Sequence, residues 1–118
     1  PLIGPSSLMM SLMASGFNGQ NFAFVGYLPI DKTQRIKRIK ELEMLAYKIS
    51  QTQIFIEAPY RNNQMFQAIK DNCNPNTMLC LGVDIGLSTQ QIISKNIQQW
   101  KKTSIDLNKR NTVFLIYK

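Results

Sequence analysis

There is no histidine in the 118 residues, and the two cysteines, Cys73 and Cys80, stand six residues apart with no imidazole to join them. Zinc sites built from Cys and His are thereby disfavoured, no metal is expected, and no serine or cysteine has a histidine to activate it. Acidic residues are scarce: 7 Asp plus Glu against 14 Lys plus Arg, a formal charge of +7. The carboxylates Asp31, Glu41, Glu43, Glu57, Asp71, Asp84 and Asp106 are scattered and form no catalytic pair in the sequence. Neither G-x-G-x-x-G nor G-K-[ST] occurs, so the chain carries no Gly-rich phosphate loop. No apolar run approaches the roughly 18–20 residues of a membrane span and no signal-peptide pattern is present, so the expected location is cytoplasmic and no membrane partner is expected.

What is present is ordinary globular material, 44% hydrophobic and 18% charged, enough for a single domain around one core. The basic excess raises the potential felt by polyanions such as RNA, although a merely soluble basic surface has the same composition. Cys80 sits in the apolar run Met78-Leu79-Cys80-Leu81 and is expected to be a small buried hydrophobe in a reducing compartment. The chain opens on Pro1-Leu2-Ile3 without an initiator Met, which suggests a piece of a longer polypeptide.

Local patterning predicts nine elements. Gly4-Pro5-Ser6-Ser7 is a helix start, with Pro tolerated in the first turn and Ser able to cap, followed by Leu8, Met9, Leu12 and Met13 at helical spacing and a stop at Gly16. Phe22 to Val25 reads as a strand closed by Gly26-Tyr27-Leu28-Pro29. Asp31 with Gln34 resembles a capping box opening the longest helix, to about Ser50, with Ile36, Ile39, Leu42, Leu45 and Ile49 inward. Thr52–Ile56 is a strand, Tyr60–Asn72 a helix, Thr77–Val83 and Gln91–Ser94 strands, Ile97 to Trp100 a short helix and Thr112–Tyr117 the last strand. This order predicts an α/β domain, a mixed sheet flanked by helices.

Three predicted strands end in Gly26-Tyr27-Leu28-Pro29, Glu57-Ala58-Pro59 and Asp84-Ile85-Gly86. Ligands of open α/β sheets gather outside strand ends, although Gly and Pro also terminate strands without any ligand. These segments carry a resemblance. Gly4-Pro5-Ser6-Ser7-Leu8 continuing to Ala14-Ser15-Gly16 resembles the "GPSA…ALSASGL" opening of the second domain of the small-subunit ribosomal RNA ribose methyltransferases, a branch of the tetrapyrrole-methylase superfamily. Phe22 to Pro29 is similar to their "F-x-F-x-G-F-L-P", Thr52 to Arg61 to their "T-L-I-F-Y-E-S-P-H-R", and Thr112 to Ile116 to their closing "M-V-L-I-V".

The resemblance runs through the chain in unbroken order and implies that residues 1–118 are the C-terminal domain of a two-domain methyltransferase, with a five-stranded mixed sheet. It implies S-adenosylmethionine as cofactor, held between this domain and an N-terminal Gly-rich domain absent from the chain, and a homodimer. By position, the cofactor would face Gly4, Pro5, Ser6, Glu57, Ala58, Gly82, Thr112 and Val113. The reaction implied is 2′-O-methylation of a ribose in ribosomal RNA, with Glu57 the first candidate base and Asp84 behind it. Tetrapyrrole C-methylation is the enzymatic alternative, and a non-catalytic dimerisation or RNA-binding module the alternative of another class.

The chain departs from the pattern at Ala58 and Tyr60, where the branch has Ser and His, and at Val83 to Leu87, where it has "R-E-L-T-K". For RNA, the candidate contacts are Arg61 and a stripe of five cations in nine positions, Lys32, Arg35, Lys37, Arg38 and Lys40, with Ile36 and Ile39 expected opposite them. A solvated helix face has the same pattern.

Overall fold

The computed structural model describes residues 4–118; the Pro1-Leu2-Ile3 opening lies outside them. The elements are α1 (Pro5–Ser15), β1 (Phe22–Tyr27), α2 (Lys32–Lys48), β2 (Thr52–Ile56), a 3-10 turn (Pro59–Arg61), α3 (Asn62–Asn72), β3 (Met78–Val83), β4 (Gln91–Asn96), α4 (Ile97–Trp100) and β5 (Thr112–Tyr117). Helix α1 starts at Gly4 with Pro5 inside its first turn, but no side chain caps it, and it stops at Gly16 in the left-handed conformation, φ 78°. Asp31 caps α2 by accepting from the Gln34 amide at 3.0 Å. The reciprocal capping box occurs instead at α4, between Asn96 and Gln99.

The strands form one mixed sheet in the order β1-β2-β5-β3-β4. Strands β1 and β2 pair in parallel across α2, and β5 inserts antiparallel between β2 and β3, with β4 antiparallel on the far side of β3. A register shift between Phe24 and Gly26 is absorbed by Gly26 at φ 81°, a backbone state that favours glycine.

Alternation along the strands sends side chains to two faces. One face carries α2, α3 and α4, and buries Ile39, Leu42, Phe55, Met65, Ile69, Leu81, Trp100 and Phe114 among others. The other is covered by α1, with Leu12 packed on Ile54, Cys80, Val113 and Leu115. The inward row of α2 is Arg35, Ile39, Leu42, Glu43 and Ala46; it shares Ile39 and Leu42 with the expected row, and Leu45 packs part-buried against the core. Ile36 is half-buried and Ile49 exposed, because the helix turns its 35/39/42/46 ridge to the sheet.

Candidate functional site

Strands β1, β2 and β3 run in one direction, so their C-terminal ends share an edge with the start of β5. The register aligns Tyr27, Ile56, Val113, Gly82 and Ile92 in one row across the sheet. Immediately beyond it lie Glu57 and Ala58 on β2's exit and Asp84 on β3's, with Thr112, paired to Val83, at β5's entry. Helix α1 reaches the same edge. Its Ser15 carbonyl accepts from Ser94 Oγ at 2.9 Å, opposite Cys80, whereas Ser11, one turn earlier, lies on Gly82, nearer the strand end. The helix therefore points its N-terminus, Gly4 to Ser6, toward the edge. The structure thus brings Gly4, Pro5, Ser6, Glu57, Ala58, Gly82, Asp84, Thr112 and Val113 to one side of the sheet.

What these groups offer differs. Gly82 faces α1: a Cβ there would lie 2.2 Å from Ser11 Oγ. Glycine is needed at Gly82 for that helix-to-sheet approach, and Val113 is packed under the same helix. The Thr112 hydroxyl is turned back to the Arg110 carbonyl at 3.1 Å. Ala58 is half-buried and the first turn of α1 has no side-chain cap, so Ala58 and Gly4 to Ser6 remain the groups open to a ligand.

Glu57 is 4% exposed and fully engaged. Oε2 accepts from Arg35 at 2.7 Å, Oε1 accepts from the Ala58 amide at 2.6 Å, and Arg61 Nε stands 3.3 Å from Oε1. Arg61 Nε is at ion-pair distance without hydrogen-bond alignment. Both carboxylate oxygens of Glu57, expected as a candidate base, are thus taken up by contacts within the chain. Arg35, expected in the basic stripe, is 5% exposed, and its Nε donates to the Pro29 carbonyl at 3.1 Å, so its guanidinium is turned inward toward Glu57.

Asp84, the second candidate base, sits at φ 53°. Its Oδ2 accepts from Arg110 Nε and Thr89 Oγ1, both at 2.9 Å, and its amide donates to the Asn111 carbonyl at 2.8 Å. Arg110 also donates to the Thr89 carbonyl at 3.1 Å. Asp84 therefore knits the β3–β4 loop to the entry of β5, and its carboxylate too is occupied.

The basic stripe is broken up. With Arg35 inward, Lys32, Lys37 and Lys40 are exposed and Arg38 is partly exposed, 3.8 Å from Glu41. Ile36 does not lie opposite the cations; positions 32, 36 and 40 form one ridge, and Ile36 with Lys32 lines a groove of about 370 Å³ between α2 and α3. Arg61 lies instead beside the strand ends, its guanidinium 4.6 Å from the centroid of the Tyr60 ring.

Arg110 and Asn62 were not foreseen. Asn62 is buried and donates to the Arg110 carbonyl at 2.6 Å, fixing the β5 entry from α3. Both contacts join residues far apart in sequence, so no local spacing signals them.

Burial pushes the Cys73 thiol up to about 12, with Glu43 adding to it, and the Cys80 thiol up to about 11. Neither is a poised nucleophile. Among the described residues no group of three or more His, Cys, Asp or Glu could hold a metal ion, and no described helix is long and apolar enough to cross a membrane.

No protein-family model matches the chain. The chain is 35% identical over 71 residues to ribosomal RNA small subunit methyltransferase I of Vibrio cholerae, a stretch covering 60% of this chain and 23% of that protein. It is 38% identical over 71 residues to the protein of the same name from Bacillus subtilis, again 60% of this chain and 23% of the relative. Among solved structures, the methyltransferase CobJ superposes with a TM-score of 0.56 at 14% identity, covering 93% of this chain and 47% of that one. In sequence the chain is thus similar, over 60% of its length, to ribosomal RNA small subunit methyltransferases, and its fold is like that of the methyltransferase CobJ. The chain spans less than a quarter of the length of these relatives.

Proposed function

We propose that the chain forms one wall of an S-adenosylmethionine-dependent methyltransferase that modifies a ribose 2′-oxygen of small-subunit ribosomal RNA. The observation that carries this reading is the assembly, on one sheet edge, of the segments through which the chain resembles these enzymes: Gly4 to Ser6, Gly26 to Pro29 and Glu57 to Arg61. The relatives named as ribosomal RNA methyltransferases support it. The uncapped start of α1 suits a ligand carboxylate, which backbone N–H groups at a helix N-terminus can hold. Ala58 adds a small side chain at the exit of β2.

The cofactor supplies a methyl group already activated on a sulfonium. This chain's part is positional. Arg35 and Arg61 clamp Glu57, and Glu57 in turn accepts from the Ala58 amide, which fixes the exit of β2. Arg110 and Asp84 fix the exit of β3. Because both carboxylates are spent on these locks, removal of the ribose proton falls to a group outside this chain, in an N-terminal domain of the same polypeptide. The chain is also proposed to pair with a second copy, supported by the exposed Met9, Met10, Met13, Phe22 and Phe24. A cytoplasmic setting follows from an RNA substrate.

The test is transfer of labelled methyl from S-adenosylmethionine to small-subunit ribosomal RNA by the full-length protein. Label in ribose is expected; unlabelled RNA, with label on carbon of a tetrapyrrole supplied in a parallel assay, overturns the RNA reading. Residues 1–118 alone are expected to bind the cofactor weakly, because one wall leaves it largely solvated. Micromolar binding by this chain in calorimetry contradicts the two-domain site.

A further inference from the structure

The strand-end edge carries an aromatic group that the resemblance does not explain. Tyr60, where the branch has His, is 66% exposed on the 3-10 turn that follows Glu57. Its ring is held from one side: the Arg61 guanidinium lies 4.6 Å from the ring centroid, and Arg61 Nη1 donates to the Tyr60 hydroxyl. Arg61 is itself anchored by the buried Glu57 carboxylate. The turn is pinned from a second direction, since the amide of Lys109, an exposed residue at φ 61°, donates to the Pro59 carbonyl at 3.2 Å. Asn62, the next residue after Arg61, is tied to the Arg110 and Leu107 carbonyls.

A large exposed ring is entropically costly to hold in place unless the fixed position is used, and here both its backbone and its ring are fixed. A cation on one face of a planar ring leaves the other face for a second planar group. Unpaired nucleobases stack on just such aromatic and guanidinium planes. We infer that Tyr60, backed by Arg61, is a stacking platform for one unpaired base of the RNA substrate, with the Lys109 ammonium contacting an adjoining phosphate.

The charge around the platform favours stacking over salt-type attraction. Arg61 shares Glu57 with Arg35, Arg110 is paired with Asp84, and Asp106, on the same loop as Lys109, is an exposed acid held by Asn63 at 2.9 Å. Among the described residues around the turn, Lys109 is the exposed cation with no carboxylate on it, so the ring is assigned most of the affinity. The inference rests on the RNA reading above and names where the substrate is gripped.

The test measures binding of a fluorescein-labelled, unstructured oligoribonucleotide to the full-length protein across a salt series. Tyr60→Ala is expected to weaken binding roughly five- to 150-fold, the range for losing one stacked base, with the salt slope unchanged. Tyr60→Phe and Tyr60→Trp keep most of the affinity, because each keeps a ring. Lys109→Gln lowers the slope by about one, as for one phosphate contact. Unchanged affinity in Tyr60→Ala, or an equal loss in Tyr60→Phe, overturns the platform while leaving the RNA reading intact. Failure of the wild type to bind RNA at all overturns that reading and the platform together. Because Tyr60 is exposed, an unchanged urea midpoint in Tyr60→Ala excludes misfolding as the cause.

Discussion

The two faces of the sheet are finished to different degrees. Under α2, α3 and α4, Phe55 stacks on Phe114 with centroids 5.5 Å apart, Phe66 meets Trp100 edge-on at 5.4 Å, and all but Phe66 of these rings are wholly buried. Across the sheet, α1 alone covers β3, β4 and β5, and Leu12 is its one large apolar side chain wholly buried there. Phe24, which pairs with Ile54 and shares its face, is 50% exposed, and Met13 of α1 is 80% exposed. The first face closes a domain core by itself. The second buries what one helix can cover and leaves aromatic and Met side chains of β1 and α1 in solvent.

Truncating each face at its centre gives the largest contrast. Phe55→Ala should cost about 3–5 kcal/mol, because a ring between Phe114 and α2 leaves a cavity the sheet cannot close. Leu12→Ala should cost about 2–3 kcal/mol, the low end for leucine, since α1 has room to settle. Urea unfolding followed by the fluorescence of Trp100 reads both, and equal losses would erase the distinction.

The ion pair at the strand ends belongs energetically to the finished face. Arg35→Ala leaves the Glu57 carboxylate buried with the exposed-edge Arg61 as its remaining cation, an expected loss of about 3–5 kcal/mol. The double variant Arg35→Met, Glu57→Gln should recover part of it, because the most deeply buried charge is removed and the cation left without a carboxylate, Arg61, is partly exposed. Additive losses in the two single variants would mean that the pair is not coupled.

Gly82 sharpens the comparison from the thin side. Gly82→Ala sets a Cβ 3.0 Å from Ser11 Cβ and 2.2 Å from its Oγ, and should cost about 1–3 kcal/mol as α1 is lifted. Ser11 Oγ is buried with no hydrogen-bond partner. Ser11→Ala alone should therefore be neutral or stabilising, and in the Gly82→Ala background it should restore part of the loss. No rescue would show that the helix is held off by the Cβ at position 11 rather than by the hydroxyl.

The element order was readable because strand runs such as Thr52–Ile56 and Thr112–Tyr117 are β-branched and aromatic, and because Gly16 and Pro59 punctuate them. Which way Arg35 faces was not. A helical wheel ranks arginine as solvent-facing, and its inward turn is decided by Glu57, twenty-two positions later. The same holds for Asp84, whose partner Arg110 lies twenty-six positions on. Local patterning puts the candidate residues at strand ends, but whether each carboxylate is free or engaged depends on long-range pairs that no local spacing signals.

The smallest predicted effect uses the two thiols as reporters, one on each face. Cys73 belongs to the core under α2 and α3, and the loop that follows it is fastened by Glu43, which accepts from the Asn74 amide at 2.7 Å and from the Thr77 hydroxyl. Cys80 lies beneath α1. With the folded thiols pushed up to about 12 and about 11, reactive thiolate is negligible at pH 8, so alkylation has to wait for opening, which returns the thiol to its ordinary range. Lifting α1 uncovers a small core, whereas fully exposing Cys73, at the C-terminal end of α3, requires loosening that end of the larger core together with the Glu43 bonds. At urea concentrations well below the unfolding midpoint, Cys80 should therefore label before Cys73, through a local opening of lower free energy than global unfolding. Mass spectrometry of partly labelled protein reads the order. Labelling of Cys73 first, or of both at the global unfolding rate, would show that a single helix holds its face of the sheet as firmly as three hold the other.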